Sequence, residues 1–174
     1  MRSVHWPGPR QALAAAGCLI LAACGSSGSS HQGTATPAAS ATAAAEPTSG
    51  QAAVAAITAN WETVFNGKAP LPSRTALVQD GSQVAAFVEA QSKTSFGQAA
   101  TGSTATISSV TVASPAQATV HYQVLLLGTP LLKNQVGTAV YQDGVWKVAI
   151  ASFCALAYLE FPKGSPQLPA ACQS

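Results

Sequence analysis

Cys24 is the residue whose surroundings most directly indicate a chemical reaction. It closes the sequence Leu21-Ala22-Ala23-Cys24 at the end of an apolar run, and the chain before that run carries Arg2 and Arg10 but no acidic residue. A basic segment, a short apolar segment and small residues at the cleavage point are typical of a secretory signal peptide. Leucine, two alanines and then cysteine predict a lipobox, in which the Cys24 thiol forms a thioether with diacylglycerol. An ordinary secretory signal ending in the same small residues is the alternative.

The predicted signal peptide, residues 1–23, has too short an apolar run to serve as a membrane anchor. Its apolar run, residues 12–23, would make a helix about 18 Å long, whereas the hydrocarbon core of a bilayer is about 30 Å thick. We therefore expect the lipid on Cys24 to hold the protein at the extracytoplasmic face of the cell membrane. Release of the protein into the medium outside the cell is the second location that we expect.

Residues 24–50 read as a flexible tether. They consist largely of Gly, Ser, Ala, Thr and Pro, with Glu46 as the one charged residue and no aromatic residue. Such a segment buries too little apolar surface to offset its chain entropy. A single folded domain is expected over residues 51–174, and O-glycans on the tether are an open alternative to a bare spacer.

The charge of the mature chain excludes one class of partner. After residue 23 there are six basic and six acidic residues, so the net charge is zero. No basic surface for nucleic acid can be built from this composition. We expect no nucleic acid partner.

Two cysteines remain after the signal peptide and Cys24 are set aside. Cys154 and Cys172 form an even pair in an oxidising compartment, which predicts a disulfide. A redox pair or metal thiolates are the alternative, but the spacing is not C-x-x-C and no histidine lies near. We expect neither a metal nor another cofactor.

His121 is the candidate for acid–base chemistry, because it is the single histidine of residues 51–174. It lies in a predicted strand beside Tyr122, and neighbouring strand residues point to opposite faces. No paired carboxylates, nucleophile motif or phosphate loop accompanies it. We therefore expect that the protein is not an enzyme. The alternative is an isomerase or hydrolase that acts on a small molecule.

Hydrophobic periodicity predicts helices first and strands afterwards. A helix is expected over residues 51–66, a short one over 73–79, and another from Asp80 to about Lys93, where Asp80-x-x-Gln83 reads as a capping box. Strands are expected over residues 104–113, 117–128, 134–142 and 145–153. Asp143-Gly144 predicts a type I′ hairpin, and Thr129-Pro130 a connection. Residues 160–174 read as a loop. The order predicts an α+β domain with helices packed on an antiparallel sheet.

Four sequence blocks in this order resemble one family. They are Trp61-x-x-Val-Phe65-Asn-Gly67; Arg74-x-x-Leu77-Val-Gln-Asp80-Gly81; Gly137-Thr-Ala-Val140-Tyr-Gln-Asp143-Gly-Val-Trp146-Lys-Val148; and Phe153-Cys154 with the late Cys172. The domain resembles actinobacterial lipoproteins related to the low-molecular-weight mycobacterial antigen. The resemblance implies a nuclear transport factor 2-like (cystatin-like) cone and an envelope or secreted location. It implies no reaction.

A cone of this kind would enclose a pocket, and we expect His121, Tyr122, Trp61 and Phe87 to line it. The apolar residues 124–127 lie near Pro130-Leu131-Leu132, and two interpretations stay open for this stretch: it lines a pocket or an interface, or it belongs to the domain core, which is the expectation for Val124 and Leu126. The expected role is a binding or interaction module for a small hydrophobic molecule or an envelope protein. A dimer is compatible with the fold, although no residue demands one.

Overall fold

The structure is a computed structural model, and it describes residues 44–173. Cys24, the predicted signal peptide and the first part of the predicted tether lie outside the described residues. Within 44–173, no helix is both long enough and apolar enough to cross a membrane.

The first helix, α1 (Gly50–Phe65), confirms the predicted helix. Its buried residues, Ala53, Ile57 and Trp61, recur every fourth residue and so lie on one face. That face packs on the sheet, because Ile57 and Trp61 share a core with Val120 and Trp146.

The next two helices differ in detail from the prediction. Helix α2 runs over Leu71–Ala76 and α3 over Ser82–Ser92. The predicted capping box is wrong, since α3 begins after Gly81 and no side chain caps it. Asp80 instead has a φ of 51°, and its carboxylate accepts a 2.9 Å hydrogen bond from the Gln142 side chain. Val78, two residues before, pairs with Val148 in a parallel bridge.

A further helix, α4 (Ser95–Ala99), and a 3-10 turn (Ala100–Gly102) follow where no element was predicted. The hydroxyl of Thr94 caps α4 by accepting a 3.0 Å hydrogen bond from the Gly97 N–H. These two short elements carry the chain from the helices to the sheet.

Four antiparallel strands form an open sheet in the order of the chain. They are β1 (Ser103–Ser114), β2 (Gln117–Leu126), β3 (Thr129–Gln142) and β4 (Val145–Val148). The predicted Asp143-Gly144 hairpin is confirmed, with positive φ at both residues. Strand β3 begins five residues earlier than predicted, because Leu127 and Gly128 also have positive φ and make a second two-residue turn.

The last predicted strand is wrong beyond Val148. The chain there forms helix α5 (Ile150–Ala157). The Ser152 hydroxyl accepts a 2.8 Å hydrogen bond from the Thr138 N–H, which ties the first turn of α5 to β3. The tail after α5 is a loop ending in a 3-10 turn, Ala170–Cys172.

The disulfide between Cys154 and Cys172 is present, with the two Cα atoms 5.3 Å apart. It joins α5 to the final turn and lies in a second, smaller core with Ala157 and Leu168. The main core lies between α1 and the sheet. Helices followed by an antiparallel sheet confirm the α+β prediction, whereas the cone implied by the resemblance stays a prediction.

The end of the predicted tether is hydrogen bonded to the sheet. The Glu46 N–H donates to the Gly144 carbonyl (2.8 Å), and the Tyr141 hydroxyl donates to the Glu46 carbonyl (2.7 Å). The indole N–H of Trp146 donates to the Pro47 carbonyl (2.8 Å). The predicted tether, 24–50, thus meets the folded unit at Glu46 rather than at residue 51, because the turn and Trp146 leave polar groups that Glu46 and Pro47 satisfy.

Candidate ligand-binding groove

Two of the four residues predicted to line a pocket lie together in the main core. The rings of Trp61 and Tyr122 meet edge to face, with centroids 5.3 Å apart, and Phe65 lies 5.2 Å from Tyr122. Trp61 is 1% exposed and Tyr122 is 3% exposed. Burial raises the pKa of Tyr122 to about 12. These two residues hold α1 against the sheet.

Phe87 lies elsewhere, beside the disulfide core. Its ring packs edge to face on Phe153 (6.1 Å) and on Phe161 (5.9 Å). This aromatic cluster joins α3 to α5 and to the tail. Phe87 therefore shares no cluster with Trp61 and Tyr122.

His121 is exposed and lies on the face of β2 opposite to that of the Tyr122 side chain. It borders a polar cavity of about 260 Å³ on the outer side of the sheet. The lining contains hydroxyl and amide residues and no carboxylate: Thr106, Ser108, His121, Tyr122, Gln123, Asn134 and Gln135. The partner acid that general acid–base catalysis by His121 would use is not among them.

A large apolar cavity of the described residues lies at the other end of the main core, and we call it the apolar groove. Its volume is about 490 Å³, within the range of about 300–1,000 Å³ that is typical of small-molecule sites. Four segments build it: α1, the α4 region, the β2–β3 hairpin and the end of α5. The lining consists of Phe65, Phe96, Ala100, Ser103, Val124, Leu131, Leu132, Leu156, Leu159 and Glu160.

Strand geometry explains how β2 and β3 contribute to the groove. Val124 lies on the inner face of β2, two residues beyond Tyr122, and pairs with Leu132 of β3. Val124 also belongs to the main core, as expected for it, and Leu131 and Leu132 line the groove beside it. Phe96 and Leu159 were missed, because no helix was predicted at Phe96 and Leu159 follows a segment predicted as a strand.

The rim of the groove exposes an unusual amount of apolar surface. Phe96 is 55% exposed, Leu131 is 51% and Leu159 is 65%. Leu127, at the tip of the adjacent hairpin, is 83% exposed and has a φ of 51°, which is rare for a leucine. Contiguous exposed apolar surface of this kind marks binding sites in soluble domains.

The groove offers few polar contacts. The Ser103 hydroxyl already donates a 2.9 Å hydrogen bond to the Phe65 carbonyl. Glu160, which is exposed at the lip, is the one charged residue of the lining. A bound molecule would therefore meet carbon atoms almost everywhere and a negative charge at one edge.

A second, polar cleft of about 460 Å³ lies between α2–α3 and the β3–β4 hairpin. Lys147 donates to the Asp143 carboxylate (3.1 Å), and Gln142 donates to Asp80 (2.9 Å). The acidic groups here already have partners. In residues 44–173 there is no group of three or more His, Cys, Asp or Glu side chains that could hold a metal ion.

Two of the four sequence blocks behind the resemblance meet in space beside this cleft. The Gln79 N–H donates to the Val148 carbonyl, and the Val148 N–H donates to the Leu77 carbonyl, both at 2.8 Å. The Leu77–Gly81 block therefore lies against the Gly137–Val148 block. Their residues hold the α2–α3 connection on β4, which is a structural role.

Fold and site together define a small α+β domain that carries an apolar groove at one end of its sheet. The model of the family described as Low molecular weight antigen MTB12, C-terminal domain, matches residues 50–163. The chain belongs to this family. No curated protein and no solved structure matches the chain.

Proposed function

We propose that this chain is a lipid-anchored protein of the bacterial envelope whose domain binds an uncharged, apolar small molecule in the apolar groove. The role proposed is binding without catalysis. One observation carries the proposal: a cavity of about 490 Å³ is lined almost entirely by carbon and opens to solvent through half-exposed Phe96, Leu131 and Leu159. Covering this surface with an apolar ligand is favourable, at about 25 cal/mol per Å² removed from water.

The chemistry of the lining favours an uncharged ligand. The carboxylate of Glu160 repels an anionic head group at the lip, and the Ser103 hydroxyl is already engaged within the protein. A buried charge without a partner is costly. Shape and apolar contact therefore determine affinity, with few directional hydrogen bonds.

The envelope location is supported by the lipobox at Cys24, in the part of the chain that precedes the described residues. Cys24→Ala is expected to move the protein from the membrane fraction to the soluble fraction of cells, and to remove the mass of the lipid from the mature chain. Wild-type protein that carries no lipid on Cys24 would contradict this part of the proposal and leave the groove untouched.

Titration with Nile red, an uncharged apolar dye, tests the groove. The mature chain, residues 24–174 with Cys24→Ser to prevent lipidation, keeps every described residue. We expect saturable fluorescence enhancement with one site per chain. Leu131 is half-exposed at the rim, so Leu131→Asp places a second carboxylate beside the groove in addition to Glu160. This variant is expected to bind the dye at least tenfold more weakly, a loss of about 1.4 kcal/mol.

Val136→Asp is the matched control. Val136 lies on the same strand and is 61% exposed, but it lines no part of the groove. The two variants introduce the same charge, so a general effect on folding or dye partitioning would affect both. Equal affinity of both variants, or no saturable binding by the unsubstituted chain, would reject the groove as a small-molecule site. Native mass spectrometry of protein from its host would then look for an envelope protein as the occupant.

A further inference from the structure

The two edges of the sheet differ in how their backbone groups are satisfied. Strand β4 forms one edge and β1 forms the other. Backbone N–H and C=O groups that point away from a sheet seek partners, so an open edge is a template for another strand.

The edge is closed along β4, whose four residues, Val145–Val148, pair with Ala139–Gln142 of β3. The Trp146 N–H donates to the Glu46 carboxylate (2.7 Å), and the Trp146 carbonyl accepts from the Asn60 side chain (2.9 Å). At Val148, the N–H donates to Leu77 and the carbonyl accepts from the Gln79 N–H. Every one of these four groups points away from β3 and has a partner.

The β1 edge is open over most of its length. At its start, the Ser103 carbonyl accepts a 3.0 Å hydrogen bond from the Gly67 N–H. Beyond Ser103, no backbone group of β1 bonds to a helix or loop of residues 44–173, and its ladder runs to β2 alone. About ten residues therefore present an unpaired edge.

The sequence of β1 lacks two of the usual means of protecting an edge strand. Its twelve residues, Ser103–Ser114, contain no charged residue and no proline. Register shifts after Ile107 and after Val112 interrupt its ladder with β2, so a strand added at this edge would pair on both sides of the irregularity at Ser108. The apolar side chains on the inner face of β1 are only partly buried, so a further strand would bury more of their surface. They are Ala105, Ile107, Val110 and Val112.

We propose that the open edge of β1 pairs with β1 of a second copy of this chain, antiparallel about a two-fold axis, to make one continuous eight-stranded sheet. A strand with no charge is complementary to itself, since no like charges meet. The two-fold axis passes near the middle of the strand, at Ser108–Ser109. The first described residues, 44–49, join each copy at Glu46 beside β4, on the opposite edge.

Charge placed at the strand centre tests this interface. Ser109 of β1 is exposed and lies opposite His121 of β2, and His121 lies opposite Val136 of β3. The three residues therefore lie on the same face of the sheet. Ser109→Lys places a positive charge on the edge strand, and Val136→Lys places the same charge two strands away from that edge. Sedimentation velocity of the mature chain (residues 24–174, Cys24→Ser) at tens of micromolar is expected to show a dimer that Ser109→Lys weakens at least tenfold and Val136→Lys leaves intact.

Two further measurements separate edge pairing from misfolding and from face-to-face association. A mixture of Ser109→Lys and Ser109→Glu chains is expected to recover a heterodimer, since opposite charges then meet at the centre. Hydrogen exchange of β1 amides is expected to slow as protein concentration rises. A monomer at all these concentrations, or a dimer that Val136→Lys dissociates, would overturn the proposal. Neither result bears on dye binding in the apolar groove.

Discussion

The carboxylate of Glu46 accepts a 2.7 Å hydrogen bond from the backbone N–H of Trp146, one hundred residues further along the chain. The same carboxylate accepts hydrogen bonds of 2.9 and 3.0 Å from the Asn60 side chain. One acid residue therefore fastens the N-terminal segment to α1 and to β4 together. Hydrogen bonds to charged groups contribute about 1.5–3 kcal/mol each to stability, and Glu46 is half-buried.

Glu46→Ala is therefore expected to lower the free energy of unfolding by about 2 kcal/mol, because the Trp146 N–H loses its acceptor and the Asn60 amide keeps only the Trp146 carbonyl. Urea unfolding measures the change. Glu62→Ala is the control, since Glu62 lies exposed on α1, and a change below about 0.5 kcal/mol is expected there. A Glu46→Ala chain as stable as the Glu62→Ala chain would show that the attachment does not stabilise the domain.

Removing the disulfide is expected to cost about 3 kcal/mol, because Cys154 and Cys172 close a loop of about 19 residues. The double variant Cys154→Ala, Cys172→Ala and the wild type are compared by urea unfolding with and without reductant. Reductant should destabilise the wild type toward the level of the variant and leave the variant unchanged. A reductant effect of equal size on both would point to a cause other than this bond.

Alkaline pH is expected to weaken the fold through Tyr122. Its pKa is about 12 in the folded chain, raised by burial from the ordinary value of 10.0. The folded state keeps the proton that the unfolded state releases, so stability from this group is complete below pH 10 and falls as the pH rises toward 12. The total is at most about 2–3 kcal/mol. Unfolding measured at several pH values should show a shallower decline for Tyr122→Phe than for the wild type, and parallel curves would contradict the prediction.

Gly137→Ala is expected to destabilise the domain by about 1–3 kcal/mol by overpacking. A Cβ at Gly137 would lie 2.8 Å from the Trp61 ring, which is 1% exposed and held between Phe65 and Tyr122. Thermal unfolding followed by tryptophan fluorescence measures the loss. Val136→Ala, one residue away and exposed, should change stability little. Similar stability of the two variants would show that the Trp61 ring moves aside at little cost.

Hydrophobic periodicity predicted the helices and strands that have one buried face and one solvent-exposed face. Helix α1 and strand β2 follow their patterns closely, since Ile57 and Trp61, or Val120 and Tyr122, recur at the spacing of the element. Asp143-Gly144 predicted its hairpin because both residues tolerate positive φ. Local chemistry was sufficient at these places.

The first half of helix α5, residues 150–153, was predicted as the end of a strand, because periodicity alone does not separate helix from strand in a short apolar run. Its helical form depends on distant contacts, among them the disulfide to Cys172 and the Ser152 hydroxyl on β3. Strand β3 was predicted to start late because Pro130 reads as a breaker, although proline is tolerated near the first residue of a strand.

The apolar groove could be predicted only in part. Val124, Leu131 and Leu132 stood out as apolar residues near a turn, but the opposite wall comes from Phe96 and Leu159, in segments where no helix was predicted. A site built from four segments depends on their tertiary arrangement. The cluster of Trp61 and Tyr122, by contrast, drew attention as aromatic residues and forms the core.

The closed edge at β4 limits what this sheet can build. A sheet with two open edges can add further copies of the chain at both ends. Such pairing produces a fibre, as a heterologous interface does when its symmetry does not form a closed ring. Here the partners of Trp146 and Val148 come from the same chain, so no strand can be added along β4. In a dimer made through β1, a β4 strand therefore lies near each end of the combined sheet, and its four residues, Val145–Val148, offer no backbone group for a further copy.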